Sequence, residues 1–182
     1  MIKSAVILCG GYGTRLLPIT KKIPKPMVMV DGKPFLYYLI KQCKLNGINE
    51  IILLCGYKSE KIKKYFKNGK KFGLSIKYSF NPPDINTYKR LVDAKQLLKK
   101  NFLLLYSDNY SSLNLNDLYS VYNKFKSNFL ISISSKNRGN INISKKKNII
   151  TKYFYKKNIY QKFVEIGYMI VNKKILIDNY DN

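Results

Sequence analysis

The sequence predicts an α/β fold, a three-layer sandwich with a mainly parallel central sheet. Two observations lead to it. Short apolar runs typical of buried strands alternate with segments whose apolar residues recur at helical spacing, which is the pattern of βαβ units. The 182 residues, 46% of them hydrophobic and 14% aromatic, suffice for one domain with a sizeable core. We therefore expect a single domain over residues 1–182.

The chain opens with a strand and a helix. Residues 4–9 are apolar and are followed by glycines, which predicts a buried strand that ends in a loop over residues 10–13. Pro34 precedes and Gly47 follows a segment with apolar residues at helical spacing. Proline is favoured at the start of a helix and glycine just after its end, so we predict a helix over residues 34–46.

The connection between this strand and this helix contains two prolines around one lysine. Pro24 and Pro26 are expected to keep residues 23–27 extended, so that Lys25 projects from a stiff support. An Asp-Gly pair at residues 31–32 predicts a turn before the helix.

The remaining elements continue the alternation until about residue 140, where the pattern changes to short strand-like pieces. The predicted strands cover residues 50–55, 74–80, 102–106 and 129–134, and the predicted helices cover residues 59–68, 88–100 and 115–126. The later strand-like pieces cover residues 141–143, 149–155 and 163–171.

The composition argues against several classes of protein. The net charge is +24, but 31 of the 34 basic residues are lysines spread along the chain, whereas readout of bases and phosphates favours arginine, so we predict no nucleic-acid partner. No apolar run approaches the roughly 20 residues of a membrane span, and no signal peptide is evident, which predicts a cytoplasmic protein without a membrane partner. The three cysteines, Cys9, Cys43 and Cys55, lie in or beside apolar segments and are expected to be buried thiols.

The glycine-rich segment after the first strand has the character of a phosphate-binding loop. Gly10, Gly11 and Gly13 allow the backbone to turn sharply and to approach a ligand with several N–H groups. The segment lacks the Gly-Lys-Ser/Thr of a P-loop, and Leu16 stands where a dinucleotide fingerprint has its third glycine. Taken alone, it could also be a purely structural strand-to-helix turn.

A longer ordered pattern distinguishes these alternatives. Gly-Gly-x-Gly-Thr-Arg-Leu at residues 10–16 is followed by Pro-x-Thr at 18–20, Pro-Lys-Pro-Met at 24–27 and Gly-Lys-Pro at 32–34. This pattern resembles the signature of the sugar-phosphate nucleotidyltransferases, especially the mannose-1-phosphate and heptose-1-phosphate guanylyltransferases. The resemblance implies a Rossmann-like fold of the nucleotide-diphospho-sugar transferase type. It also implies transfer of a nucleotidyl group from an NTP, with GTP favoured, to a sugar 1-phosphate, assisted by Mg²⁺.

The resemblance also assigns roles to individual residues. Arg15 would neutralise the departing pyrophosphate, Lys25 would hold the phosphates around the reacting centre, and Asp108, at the end of an apolar strand, would bind Mg²⁺. The implied nucleotide-binding residues are Leu8, Gly10, Gly11, Gly13, Thr14, Asn81 and Thr87. The implied sugar-phosphate-binding residues are Gly139, Lys156, Glu165 and Gly167.

Two departures from the family pattern leave alternatives open. The family has small residues where this chain has 85–91, and only Thr87 and Leu91 match, while residues 88–90 are bulky. We also find no match to the late family strand whose aspartate completes the metal site, so the chain is expected to lack the last C-terminal elements. The alternative function is therefore a non-catalytic nucleotide- or nucleotide-sugar-binding relative that acts through a partner. Homo-oligomerisation is left open.

Overall fold

The computed structural model describes residues 1–144 and 149–178, and the chain divides into two compact units. The first unit comprises residues 1–130 and the chain from Met169 onward, and the second comprises Ile131–Tyr168. The strands are β1 (Ser4–Cys9), β2 (Met29–Val30), β3 (Lys33–Pro34), β4 (Glu50–Cys55), β5 (Ser75–Phe80), β6 (Asn101–Tyr106), β7 (Phe129–Ser135), β8 (Gly139–Ser144), β9 (Ile149–Asn158) and β10 (Phe163–Asn172). The α-helices are α1 (Phe35–Leu45), α2 (Ser59–Phe66), α3 (Thr87–Asp93), α4 (Leu115–Phe125) and α5 (Lys174–Asp178).

A parallel sheet forms the centre of the first unit. β1 pairs with β4 on one side and with β6 on the other, and β4 pairs in turn with β5, all in parallel. In this register Cys9 lies opposite Cys55, and Leu8 lies opposite Tyr106, so the carboxyl ends of the strands lie side by side. β6 is followed in strand order by β10, whose residues are divided between the two units. The predicted α/β fold with a mainly parallel sheet is confirmed.

The strand order fixes where the helices lie. Crossovers between parallel strands are right-handed, so the steps from β1 to β4 and from β4 to β5 place α1 and α2 on one face of the sheet. Both helices contact Phe72: the rings of Tyr37 and Tyr65 lie within 6.1 and 6.3 Å of its ring. The return step from β5 to β6 runs in the opposite direction and places α3 on the other face.

The central strands carry the core. All residues of β1 except Leu8 are buried, and so are residues 51–55 of β4 and 102–105 of β6. Strands covered on both faces read as continuous apolar runs, which is why these three segments were recognisable in the sequence. This apolar body fixes the positions of the strand ends, and the strand ends in turn position the loops that follow them.

Two elements differ from the sequence-based expectation. The helix predicted over 88–100 ends at Asp93. Residues 94–98 continue as tight turns, in which the N–H of Leu97 donates to the carbonyl of Ala94, three residues earlier. The segment expected to be extended over 23–27 instead folds at Lys25–Met27 into a 3₁₀ turn. Pro24 is extended, whereas Pro26, at the second turn position, has the φ that a helical turn requires. The Asp-Gly turn at 31–32, with φ of 44° and 73°, joins β2 and β3 as predicted.

The second unit consists of strands. β8 pairs antiparallel with β9 and with β10, and Ile141 lies opposite both Tyr153 and Phe163. Gly139 begins β8 where a Cβ would come within 2.5 Å of the backbone of Phe163, so glycine permits this close approach. Among the described residues, no helix is long and apolar enough to cross a bilayer.

Candidate active site

The glycine loop follows β1 at the carboxyl edge of the parallel sheet. Gly13 has a left-handed φ of 68°, and a Cβ on it would lie 2.8 Å from the Cβ of Lys25 and 3.1 Å from Cγ2 of Thr20. The buried Thr20 hydroxyl donates to the Gly13 carbonyl over 3.1 Å. Glycine is therefore required at position 13 both for its backbone conformation and for its tight packing. Thr20 thus holds the loop in place by its hydrogen bond, and the loop packs closely against Lys25.

Lys25 and Asp108 meet across this edge. The 3₁₀ turn presents Lys25, whose Nζ donates to Oδ2 of Asp108 over 2.5 Å. Asp108 lies two residues after the end of β6. The preceding Ser107 ties this segment to β1, because its hydroxyl donates to the carbonyl of Leu8 over 2.6 Å. The two charged side chains are 25% and 30% exposed, so solvent and ligands reach both.

These features surround one cleft of about 350 Å³ in the first unit. The predicted site residues that line it are Leu8, Gly11, Gly13, Thr14, Arg15, Lys25, Thr87 and Asp108. Four lining residues were not predicted, namely Cys9, Pro26, Tyr106 and Ser107. Two cations and a loop of backbone N–H groups thus share one cavity with a single carboxylate, an arrangement that can hold a chain of phosphates.

Two predicted nucleotide-binding residues lie elsewhere in the first unit. Gly10, the first residue of the loop, does not line the cleft and lies against the guanidinium of Arg90, where a Cβ would overlap that group. Asn81 lies outside the lining of the cleft and donates its side-chain amide to Asp93 over 2.8 Å. Its N–H bonds to the carbonyl of Cys55 at the end of β4. Their roles in nucleotide binding remain predictions.

The four predicted sugar-phosphate residues all belong to the second unit. Gly139 is buried at the start of β8, and Lys156 is exposed on β9. Glu165 and Gly167 lie on β10, where Gly167 has a φ of 75°. Partial burial of the half-exposed Tyr153 phenol and the negative charge of the neighbouring Glu165 carboxylate raise the pKa of Tyr153, so these two side chains lie next to each other. Whether these residues bind a sugar phosphate remains a prediction.

The donor set fits a metal only in a particular way. Within residues 1–144 and 149–178, no three acidic, cysteine or histidine side chains converge to hold a metal ion. Asp108 supplies the one carboxylate among the described residues that line the cleft. Mg²⁺ is commonly held by one or two carboxylates together with substrate phosphates and water. The site therefore fits a Mg²⁺ ion shared with a bound triphosphate rather than an ion held by protein side chains alone.

Sequence reasoning missed the residues that support the site from behind. Thr20 was part of the Pro-x-Thr motif, but nothing in the motif indicated its bond to Gly13. Ser107 lines the cleft as well, and no motif indicated that its hydroxyl would join the end of β6 to β1. The bulky Arg90 departs from the small residues of the family pattern, but nothing in the sequence indicated that its side chain would be buried.

Known proteins are similar to this chain in sequence and in fold. The profile of the nucleotidyl transferase family matches residues 4–142. A D-glycero-alpha-D-manno-heptose 1-phosphate guanylyltransferase of Campylobacter jejuni is 40% identical over 63% of this chain and 51% of its own length. A probable glucose-1-phosphate cytidylyltransferase of Bacillus subtilis is 37% identical over 65% of this chain and 55% of its own.

A solved structure has a similar fold. The crystal structure of HddC from Yersinia pseudotuberculosis superposes with a TM-score of 0.81 and 26% identity, covering 98% of this chain and 80% of that one. The chain spans about half the length of the curated relatives it matches. The family profile covers most of the chain, including the glycine loop, Lys25 and Asp108. The chain therefore belongs to the nucleotidyl transferase family.

Proposed function

We propose that this chain transfers a nucleotidyl group from an NTP to a sugar 1-phosphate, giving a nucleoside-diphosphate sugar and pyrophosphate. The observation that carries the proposal is the cleft itself, in which the glycine loop, Arg15, Lys25 and Asp108 come together. The cleft lies at the carboxyl edge of a parallel sheet, where open α/β folds bind their ligands.

The reaction explains why the cleft carries two cations. An oxygen of the sugar phosphate attacks the α-phosphorus, the new P–O bond forms, and the bond to the bridging oxygen of pyrophosphate breaks. Several negative charges gather at one phosphorus, and preorganised cations stabilise them. The exposed Arg15 guanidinium suits a bidentate grip on the departing pyrophosphate, and Lys25 supplies a point charge beside the reacting group.

Asp108 is the residue that would hold Mg²⁺ together with the triphosphate. Mg²⁺ bound there would neutralise phosphate charge and orient the triphosphate. The Lys25 ammonium now occupies one oxygen of this carboxylate, so nucleotide binding is expected to separate the pair. Lys25 then turns to the phosphates, and Asp108 becomes available as a ligand.

The finer parts of the proposal rest on resemblance. We favour GTP as donor because one similar protein is a heptose 1-phosphate guanylyltransferase. Another is a probable cytidylyltransferase, so CTP is the donor to test beside it. The products would serve the synthesis of nucleotide sugars and surface polysaccharides, and we place the reaction in the cytoplasm.

A pyrophosphate-release assay tests the proposal directly. The four NTPs are combined with a panel of sugar 1-phosphates, and release is followed with and without Mg²⁺. We expect one NTP and one sugar to stand out, and Arg15→Ala to lower the rate by about 10² to 10³, the scale for losing one preorganised charge. Lys21→Ala, which removes a neighbouring exposed cation, is the matched control. Nucleotide binding without release for any pair would instead favour the non-catalytic alternative.

A further inference from the structure

Arg90 is a buried cation directly behind the glycine loop. It is the fourth residue of α3 and is only 4% exposed. Its three side-chain nitrogens each donate to a carbonyl oxygen: Nε to Ile85 over 3.1 Å, Nη1 to Cys55 over 3.1 Å and Nη2 to Pro82 over 2.6 Å. One side chain thus joins α3 to the end of β4 and to the loop that follows β5.

The same guanidinium packs against the backbone of the glycine loop. A Cβ on Gly10 would overlap its Nη1 and Cζ, and a Cβ on Gly56 would lie 3.1 Å from Nη1 and 2.5 Å from the carbonyl of Gly10. The Gly10 carbonyl also accepts the N–H of Tyr57 over 3.1 Å. Gly10 is therefore held between the segment that follows β4 and a planar group that cannot yield without breaking three hydrogen bonds.

This arrangement fixes the loop although Arg90 does not line the cleft. Gly11 and Gly13, which do line it, lie one and three residues after Gly10, so a shift of Gly10 moves the loop backbone that lines the cavity. Thr87, one turn before Arg90 on the same helix, also lines the cleft. Arg90 thereby couples the two sides of the cavity, the glycine loop and the first turn of α3.

We propose that Arg90 is a positioning residue, whose buried guanidinium sets the place of the glycine loop and so determines the affinity of the cleft for a chain of phosphates. The inference rests on the proposed function, because it takes the cleft to be a phosphate site. The contacts between Arg90 and the glycine loop do not depend on which base or sugar the substrates carry. Tripolyphosphate is therefore a sufficient probe.

The test measures tripolyphosphate binding by calorimetry in the presence of Mg²⁺, together with thermal unfolding of each variant. Arg90→Met removes the three donors and the planar contact, and we expect binding to weaken about tenfold or more, since a displacement near 1 Å has large effects in such sites. Arg90→Lys keeps the charge but reaches fewer carbonyls, and an intermediate loss is expected.

Two controls separate positioning from folding. Lys89→Met removes a cation from the preceding residue of α3, where it pairs with Asp93 away from the loop, and should leave affinity within about twofold. Val92→Ala destabilises the same helix from its buried face and should lower the melting temperature without weakening tripolyphosphate binding. If Arg90→Met does not fold, Gly10→Ala decides, because its methyl group pushes on the guanidinium from the other side and should weaken binding similarly.

The outcomes distinguish this inference from the proposed function. Unchanged affinity in folded Arg90→Met, or in Gly10→Ala, would overturn the positioning role. A wild-type chain that binds tripolyphosphate, yet releases no pyrophosphate from any substrate pair, would overturn the proposed reaction while leaving the role of Arg90 standing. Absence of tripolyphosphate binding to the wild-type chain would contradict both.

Discussion

At the scale of single residues, the contact between Lys25 and Asp108 governs how the cleft accepts charge. The ammonium lies 2.5 Å from the carboxylate, and both side chains are partly exposed. Pairs of this exposure are worth about 0–1 kcal/mol, so an incoming triphosphate with Mg²⁺ can exchange both partners at little cost. The pair keeps the two side chains pointing into the cleft until that exchange takes place.

Removing Lys25 should therefore have two opposite effects. Lys25→Met is expected to lower turnover by about 10² to 10³, because a preorganised cation is lost. The same change frees Asp108, so binding of Mn²⁺ without nucleotide should tighten by up to about fivefold, the equivalent of 1 kcal/mol. Titration calorimetry with Mn²⁺ measures the second effect, and the double variant with Asp108→Asn should abolish it. Weaker Mn²⁺ binding in Lys25→Met would show that the lysine does not compete for the carboxylate.

The glycines of the loop should differ sharply in their tolerance of a methyl group. Gly13→Ala places a residue at a φ of 68° and a Cβ 2.8 Å from Lys25, and we expect a loss of stability of about 1–2 kcal/mol or more. Gly11→Ala is the matched control, since a Cβ there meets nothing within 4 Å. Urea unfolding of both variants measures the difference. Equal stability of the two would contradict the packing described around Gly13.

At the scale of elements, the sequence predicted the strands of the first unit well and the connections less well. The apolar runs of β1, β4 and β6 were visible because both faces are buried. The turn at Lys25–Met27 was missed because the φ of Pro26 suits an extended segment as well as a helical turn. The end of α3 at Asp93 was missed because apolar residues continue beyond it in the sequence. The lining residues predicted from the family pattern lie in one cleft, whereas Thr20, Ser107 and Arg90 act through long-range contacts that no local pattern encodes.

These burial differences should appear in hydrogen exchange of individual strands. β1 and β4 are buried and paired on both sides, so their amides should exchange only when the first unit opens as a whole. β9 pairs with β8, and residues 151–153 on it are exposed, so it should exchange faster. Mass spectrometry of peptic fragments measures both rates. Equal protection of the two groups would mean that the second unit opens only together with the first.

At the scale of the whole molecule, the net charge of +24 surrounds a site proposed to bind anions. A field of one sign raises the rate at which oppositely charged ligands arrive. The distribution of lysines over the whole chain makes this a general attraction, and selectivity is left to the cleft.

The association rate of a triphosphate should consequently depend strongly on salt. The screening length falls from about 30 Å at ~0.01 M to about 10 Å at ~0.1 M ionic strength, so the rate of association should drop steeply over this range. The dissociation rate should change less, because the contacts inside the cleft are short. Stopped-flow measurements with a fluorescent nucleotide separate the two rates. An association rate indifferent to salt would leave the overall charge without a role in capture.

Because the three cysteine thiols are buried, the rate at which they are alkylated reports how often the site opens. Cys9 and Cys55 are paired in register at the last positions of β1 and β4, and burial raises the pKa of both thiols, that of Cys55 to about 12. Neither thiol can be alkylated until the sheet edge beneath the glycine loop opens. A ligand held by that loop should slow their labelling by the factor 1 + [L]/Kd.

Cys43 on α1, whose pKa burial also raises to about 12, reports the opening of the body of the first unit. Slowing of all three thiols to the same extent would mean that the edge and the body open as one, whereas selective slowing of Cys9 and Cys55 would mean that the edge can open alone.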